Sequence, residues 1–147
     1  MYNIDIQSPE FVKCLERGER EAFQRLFEMY HKALCFFATR IVRDSLEAED
    51  IVQDVFLAFW RMDRGGFPNL KTVKTFLYNS VQHRCLNYLR DLEIRDRNYR
   101  NLKREELDED YFLCQQIRAE VVAELFGAID ELPDKCKEIF KRSYVDG

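Results

Sequence analysis

The sequence predicts an all-α protein. Apolar residues recur at three- and four-residue steps along most of the chain, and residues that start and stop helices bracket each periodic stretch. Only 5 Gly and 3 Pro punctuate the 147 residues, less turn chemistry than a sheet-rich fold of this length needs. Hydrophobic residues make up 46% and charged residues 34%, the balance of a soluble globular chain.

Ser8-Pro9-Glu10 reads as a helix start, with Ser at the cap and Pro at the first helical position. This short helix is expected to run to Arg17 and stop at Gly18. A second helix runs from near Glu19 to about Arg43, with Ala22, Phe23, Leu26, Phe27, Tyr30, Ala33, Leu34, Phe37 and Ile41 on one stripe. Asp44 and Glu47 form a capping-box pattern for a third, Ser45 to about Asp63, ended by Gly65-Gly66. After the loop from Gly65 to Lys71, Thr72 is expected to cap a fourth helix from Val73 to at least Arg90. Charged residues with few apolar anchors then fill Asp96 to Asp110, which reads as a linker. Periodicity returns with Ile117, Val121, Val122, Leu125, Phe126 and Ile129, and Leu132-Pro133 separates that helix from a last one, Asp134 to about Tyr144. The expected organisation is a helical bundle over 1–97, a charged linker over 98–112 and one or two further helices over 113–147.

Several function classes are excluded at this level. No run approaches the ~20 apolar residues of a membrane span, and Met1-Tyr2-Asn3-Ile4-Asp5 lacks the basic and apolar regions of a signal peptide. The five cysteines, Cys14, Cys35, Cys85, Cys114 and Cys136, are scattered, with no C-x-x-C pair. Reduced thiols in a cytoplasmic protein are expected, with no metal and no cofactor. Arg64-Gly65-Gly66-Phe67 lacks the lysine and the preceding strand of a phosphate loop, and no catalytic triad or di-metal pattern is present, so no enzyme is expected.

Charge is segregated along the chain. The net charge is −4, which argues against a free-standing DNA binder. Yet between Lys71 and Arg104 nine bases face three acids, whereas from Glu105 to Asp134 the only base is Arg118.

Two helices carry residues that a buried stripe does not explain. On a wheel at about 100° per residue, Ala48, Ile51, Val52, Val55, Phe59 and Met62 of the third helix form the core face. The opposite side gathers Glu49, Asp50, Gln53 and Asp54 around Leu46, Leu57 and Trp60. Acids around apolar anchors suit docking to a basic protein. The other reading has Trp60 folded back onto Phe56 and the core, and the wheel leaves both open. On the fourth helix Leu77, Val81, Cys85, Tyr88 and Leu92 point inward. The far side carries Asn79, His83, Leu86 and Arg90, with Phe76 and Asn87 on its shoulder. Amides and guanidiniums pair with base edges, and aromatic rings stack on unpaired bases. Phe67, Asn69 and Lys71 in the loop add a candidate pocket. Alone, this pattern fits an ordinary hydrated face better.

Two longer stretches carry a family resemblance. Ala48-Glu-Asp-Ile-Val-Gln-Asp-Val-Phe-Leu-Ala-Phe-Trp60 closely resembles the AEDIVQEVFL-x-x-W segment, region 2.2, of the extracytoplasmic-function (ECF) subfamily of bacterial sigma-70 RNA polymerase sigma factors. Phe76-Leu-Tyr-Asn-Ser-Val-Gln-His-Arg-Cys-Leu-Asn-Tyr-Leu-Arg90 resembles their regions 2.3 and 2.4, often written WLYRIARNRAIDYLR, at fitting spacing. Gly18 through Arg40 resembles region 2.1, and Leu132 through Phe140 the opening of region 4. The wording is similar to the Bacteroidetes type of the subfamily.

The resemblance implies a transcription initiation factor without catalysis. Its region 2.2 would bind the clamp helices of the polymerase β′ subunit through Asp50, Gln53, Asp54, Leu57 and Trp60. The −10 element of the promoter would be recognised and melted by Phe76, Tyr78, Asn79, His83, Asn87 and Arg90, with Phe67, Asn69 and Lys71 as a specificity loop for a flipped-out base. An anti-sigma factor is a further implied partner. His83 stands where the family often has Asn, Asn79 where it often has Arg, and Phe76 where Trp is common, which bears on promoter sequence rather than fold. The helix-turn-helix that family members use at the −35 element is not in this sequence, so the chain as given is expected to lack −35 binding. The alternative function is a sigma-like module that engages only an anti-sigma or other regulatory protein.

Overall fold

The computed structural model describes residues 7–95 and 108–145. Within them the fold is six α-helices: α1 (Pro9–Glu16), α2 (Arg20–Val42), α3 (Ser45–Arg61), α4 (Leu70–Arg95), α5 (Glu109–Asp130) and α6 (Asp134–Phe140), followed by a π-helical turn at Lys141–Val145. No strand occurs among the described residues. Most of the expected linker, with Arg97, Arg100, Lys103 and Arg104, lies outside them, as does Gly147.

The helix ends follow local chemistry. Gly18, at φ +76°, turns the chain out of α1 where a side chain would be strained. α2 ends with no glycine: Arg43 itself takes the left-handed conformation, φ 61°, and its N–H donates to the Thr39 carbonyl at 2.8 Å. Asp44 then caps α3, its carboxylate accepting from the backbone N–H of Leu46 at 3.0 Å and of Glu47 at 3.2 Å. α4 starts at Leu70, three residues before the expected Val73, because Asn69 and not Thr72 is the cap. The Asn69 side-chain oxygen accepts from the Thr72 N–H at 3.0 Å, and the Thr72 hydroxyl accepts from the Asn69 N–H at 3.3 Å. This reciprocal pair satisfies two orphan donors at once.

α2 is the central helix, packed against α3, α4 and α5. Phe11, Leu26, Leu34, Phe37, Phe59, Leu77, Val52, Val73 and Val81 are sealed in one core. At ~1.5–3 kcal/mol for each fully buried large apolar side chain, this core outweighs any single polar contact in the molecule.

α5 shows the largest difference from expectation. It begins at Glu109, capped by Asp108, within the span read as linker, and it lies against α2. Phe112, Gln115, Ala119 and Ile129 are its buried residues, whereas Leu113, Ile117, Val121 and Leu125 are more than half exposed. The helix is apolar on two opposite faces, and the face with Ala119 and Gln115 allows the closer approach to α2. Basic residues of the body meet acceptors on α5 along the seam. Lys74 Nζ lies 2.5 Å from Glu120, Lys32 Nζ 3.5 Å from Asp130, and Arg40 Nε donates to Gln115 Oε1 at 3.3 Å.

Candidate docking face and nucleic-acid groove

The outer side of α3 is open. Asp50, Gln53 and Asp54 are exposed, and no ion pair ties either carboxylate to another described residue. Around them Leu46 is 74% exposed and Leu57 48%. Trp60, at 36%, is held at the edge of this face: its ring centroid lies 4.8 Å from that of Phe23, and the Arg64 guanidinium carbon lies 5.3 Å from its centre. Trp60 thus packs on one side and is open on the other. It leans on the aromatic layer of Phe23 and Phe56, yet a third of it meets solvent. An acidic helix with apolar anchors is free to receive a basic, partly apolar surface.

The second surface is a groove of about 430 Å³ between α3 and α4, lined by Val55, Ala58, Phe76, Asn79, Ser80, His83 and Arg84. Asn79, His83 and Arg84 are exposed, and Phe76 is half-buried at the groove wall. The helical spacing of 76, 79, 80, 83 and 84 places these side chains on one side of α4. The groove therefore combines an aromatic ring, an amide, an imidazole and a guanidinium, the groups that stack on bases, bond to base edges and hold phosphate.

The expected residues divide by position. Phe76, Asn79 and His83 line the groove. Phe67 is anchored beside it, half-buried, with its ring 5.5 Å from Phe76 and 5.9 Å from Phe59. Lys71 is exposed at the start of α4, and Asn69 spends its carboxamide oxygen on the helix cap. Asn87 and Arg90 lie further along, where Arg90 Nη2 donates to Asn87 Oδ1 at 3.1 Å. Tyr78 departs from expectation. It is 3% exposed, on the opposite side of α4, edge-to-face with Phe37 at 5.1 Å. Burial, with Glu120 and Tyr30 nearby, pushes its phenol well above the usual range. The surface is built without it.

Sequence reasoning missed Val55, Ala58, Ser80 and Arg84 as groove residues. Val55 falls on the predicted core face, where it also belongs, and Ala58 and Ser80 carry no chemical signal. Arg84 was visible only as one base among nine.

Two of the thiols and the second histidine are shaped by burial. Burial pushes Cys35 up to about 11 and Cys85 up to about 12, so both stay protonated near neutrality. His31 stacks on Phe27 with ring centroids 4.3 Å apart, and burial lowers its pKa against an opposing effect of Glu49. No cluster of three metal-ligating side chains occurs among the described residues, and no described helix is long and apolar enough to cross a membrane.

Residues 26–94, which hold most of α2 and α4, all of α3 and both surfaces, match the family model of sigma-70 region 2. The chain is similar to an ECF RNA polymerase sigma factor SigK of Mycolicibacterium vanbaalenii, 24% identical over 92% of this chain and 70% of that protein. It is 36% identical to the ECF factor SigM of Mycobacterium tuberculosis over 50% of this chain and 37% of that protein. To the RNA polymerase sigma-H factor of Pseudomonas aeruginosa it is 29% identical over 56% of this chain and 42% of that protein. The aligned part thus spans well under half of two of these relatives. No solved structure matches the chain significantly. Residues 26–94 are a match to the sigma-70 region 2 domain, and the chain is distantly homologous to ECF sigma factors.

Proposed function

We propose that this chain is a transcription initiation factor that binds core RNA polymerase and recognises and helps melt the promoter −10 element. The observation that carries the reading is the groove, which brings Phe76, Asn79, His83 and Arg84 together around a space of about 430 Å³. Extruding a base from a duplex costs a few kcal/mol. Stacking returns about 1–3 kcal/mol per base, and hydrogen bonds to an exposed base edge return more. A groove that rewards only the unpaired base therefore favours the open duplex without any bond being made or broken.

Docking supplies the affinity that a chain of net charge −4 lacks for DNA. Asp50, Gln53 and Asp54, with Leu57 and Trp60, are the contacts for the β′ clamp helices. An anti-sigma factor is the competing partner for the same face. The similarity to proteins named RNA polymerase sigma factors supports this assignment.

Core polymerase binding and −10 recognition by the full chain provide the test. Asp50→Ala combined with Asp54→Ala is expected to weaken polymerase binding, while His83→Ala changes −10 preference and leaves polymerase binding intact. If the acidic double variant binds polymerase as tightly as the parent, the docking assignment is wrong.

The 74% exposure of Leu46 and 48% exposure of Leu57 also suit a module that engages only a regulatory protein. Photocrosslinking from position 67 or 83 to promoter DNA separates the two readings, since a protein-only module gives no DNA adduct there.

A further inference from the structure

Arg64 lies in the loop after α3, outside both surfaces, yet its guanidinium gathers backbone carbonyls from two helix ends. Nε donates to the Leu15 carbonyl at the end of α1 at 2.6 Å. Nη1 donates to the carbonyls of Phe59 at 3.4 Å, Met62 at 3.3 Å and Trp60. The same group lies 5.3 Å from the centre of the Trp60 ring. Carbonyls in the last turn of a helix have no intrahelical partner and form the negative end of its dipole. One cation here answers two such ends, α1 and α3.

The site is built to receive a guanidinium. Gly18, at φ +76°, leaves the space that Nη2 approaches, and a Cβ there would come within 2.9 Å of it. The planar fork with its several donors reaches acceptors in different directions while still presenting a face to the indole, which an ammonium does not do. From the other direction Phe23 of α2 meets the Trp60 ring at 4.8 Å.

We propose that Arg64 is a positioning residue for the docking face. It fixes the last turn of α3 against α1 and sets the pose in which Trp60 is offered to the polymerase. This rests on the reading of the outer α3 face as the docking face. It adds that α1, which contributes no contact residue of its own, governs docking through the contact at Leu15.

Trp60 is the single tryptophan of the chain, so its emission reports this contact directly. In the full chain, Arg64→Lys keeps the charge and loses the fork. It is expected to shift Trp60 emission to longer wavelength and to weaken core polymerase binding about three- to tenfold. Gly18→Ala is expected to move the emission in the same sense with residue 64 untouched. The double variant Arg64→Lys/Trp60→Ala should bind no more weakly than Trp60→Ala alone, because the effect of Arg64 passes through the indole. Additive losses in that cycle, or parental affinity and emission in Arg64→Lys, overturn the proposal while leaving the docking face standing. Unchanged affinity in Trp60→Ala removes Trp60 from the docking face and takes the proposal with it.

Discussion

Phe67 and Phe76 meet edge to face, ring centroids 5.5 Å apart with planes 69° from parallel, and both lean on the buried ring of Phe59. The loop between α3 and α4 is thus tied through Phe67 to the wall of the groove.

Phe67→Ala is therefore expected to act on both stability and the groove. An aromatic pair contributes about 0.5–1.5 kcal/mol beyond the area it buries. A fall in melting temperature of roughly 1–6 °C follows for a domain of this size. Calorimetry checks the fall, and a shift below ~1 °C would show that the ring does not anchor the loop.

The cap of α3 is held by one carboxylate. Asp44→Ala removes the acceptor for two backbone donors and is expected to cost about 1 kcal/mol, with a limit near 2. Asp44→Asn or Asp44→Ser should recover most of it. Urea denaturation of the three variants reads the difference.

α5 is fastened mainly by its apolar contacts. The Lys74–Glu120 pair is 2.5 Å long but about a third exposed on each side, which limits its contribution to about 0–1 kcal/mol. Phe112 is 5% exposed within the core cluster, and its removal belongs to the class that costs about 3–5 kcal/mol. Amide exchange along α5 should hardly change in Glu120→Gln and should accelerate strongly in Phe112→Ala. The reverse order would place the strength of the seam in its charges.

His31 gives the molecule a pH dependence of known sign. Burial lowers its folded pKa below the ordinary 6.5, so the unfolded chain binds the proton more readily. This stability is present above pH 6.5 and is lost as the pH falls through the lowered folded value. His31→Phe keeps the stack on Phe27 and should flatten that part of the profile. Thermal midpoints of the two proteins between pH 7.5 and 5 provide the comparison, and parallel curves would exclude His31 as the source.

Where a local signal decides an element, the sequence shows it. The Asp44 cap, the Gly18 stop and the inner stripe of α3 are readable in a few adjacent residues, and the acidic outer face follows from the same wheel. The buried face of α5 was not readable, because a helix apolar on two faces does not say which one its neighbour takes. Ile117, Val121 and Leu125 have the periodicity of a core, yet Ala119 and Gln115 face α2. Tyr78 is misplaced for a related reason: its aromatic character fits a base or a core equally, and its contact with Phe37 decides. The contacts of Arg64 join residues as far apart as 15 and 64, a distance at which no spacing rule operates.

α3 presents acids and a tryptophan on one side while Val55 and Ala58 form part of the groove on another. A protein seated outside and a base seated inside would hold the same seventeen-residue rod. A tilt imposed by the first would change the width available to the second without a hinge, a lid or any refolding between them.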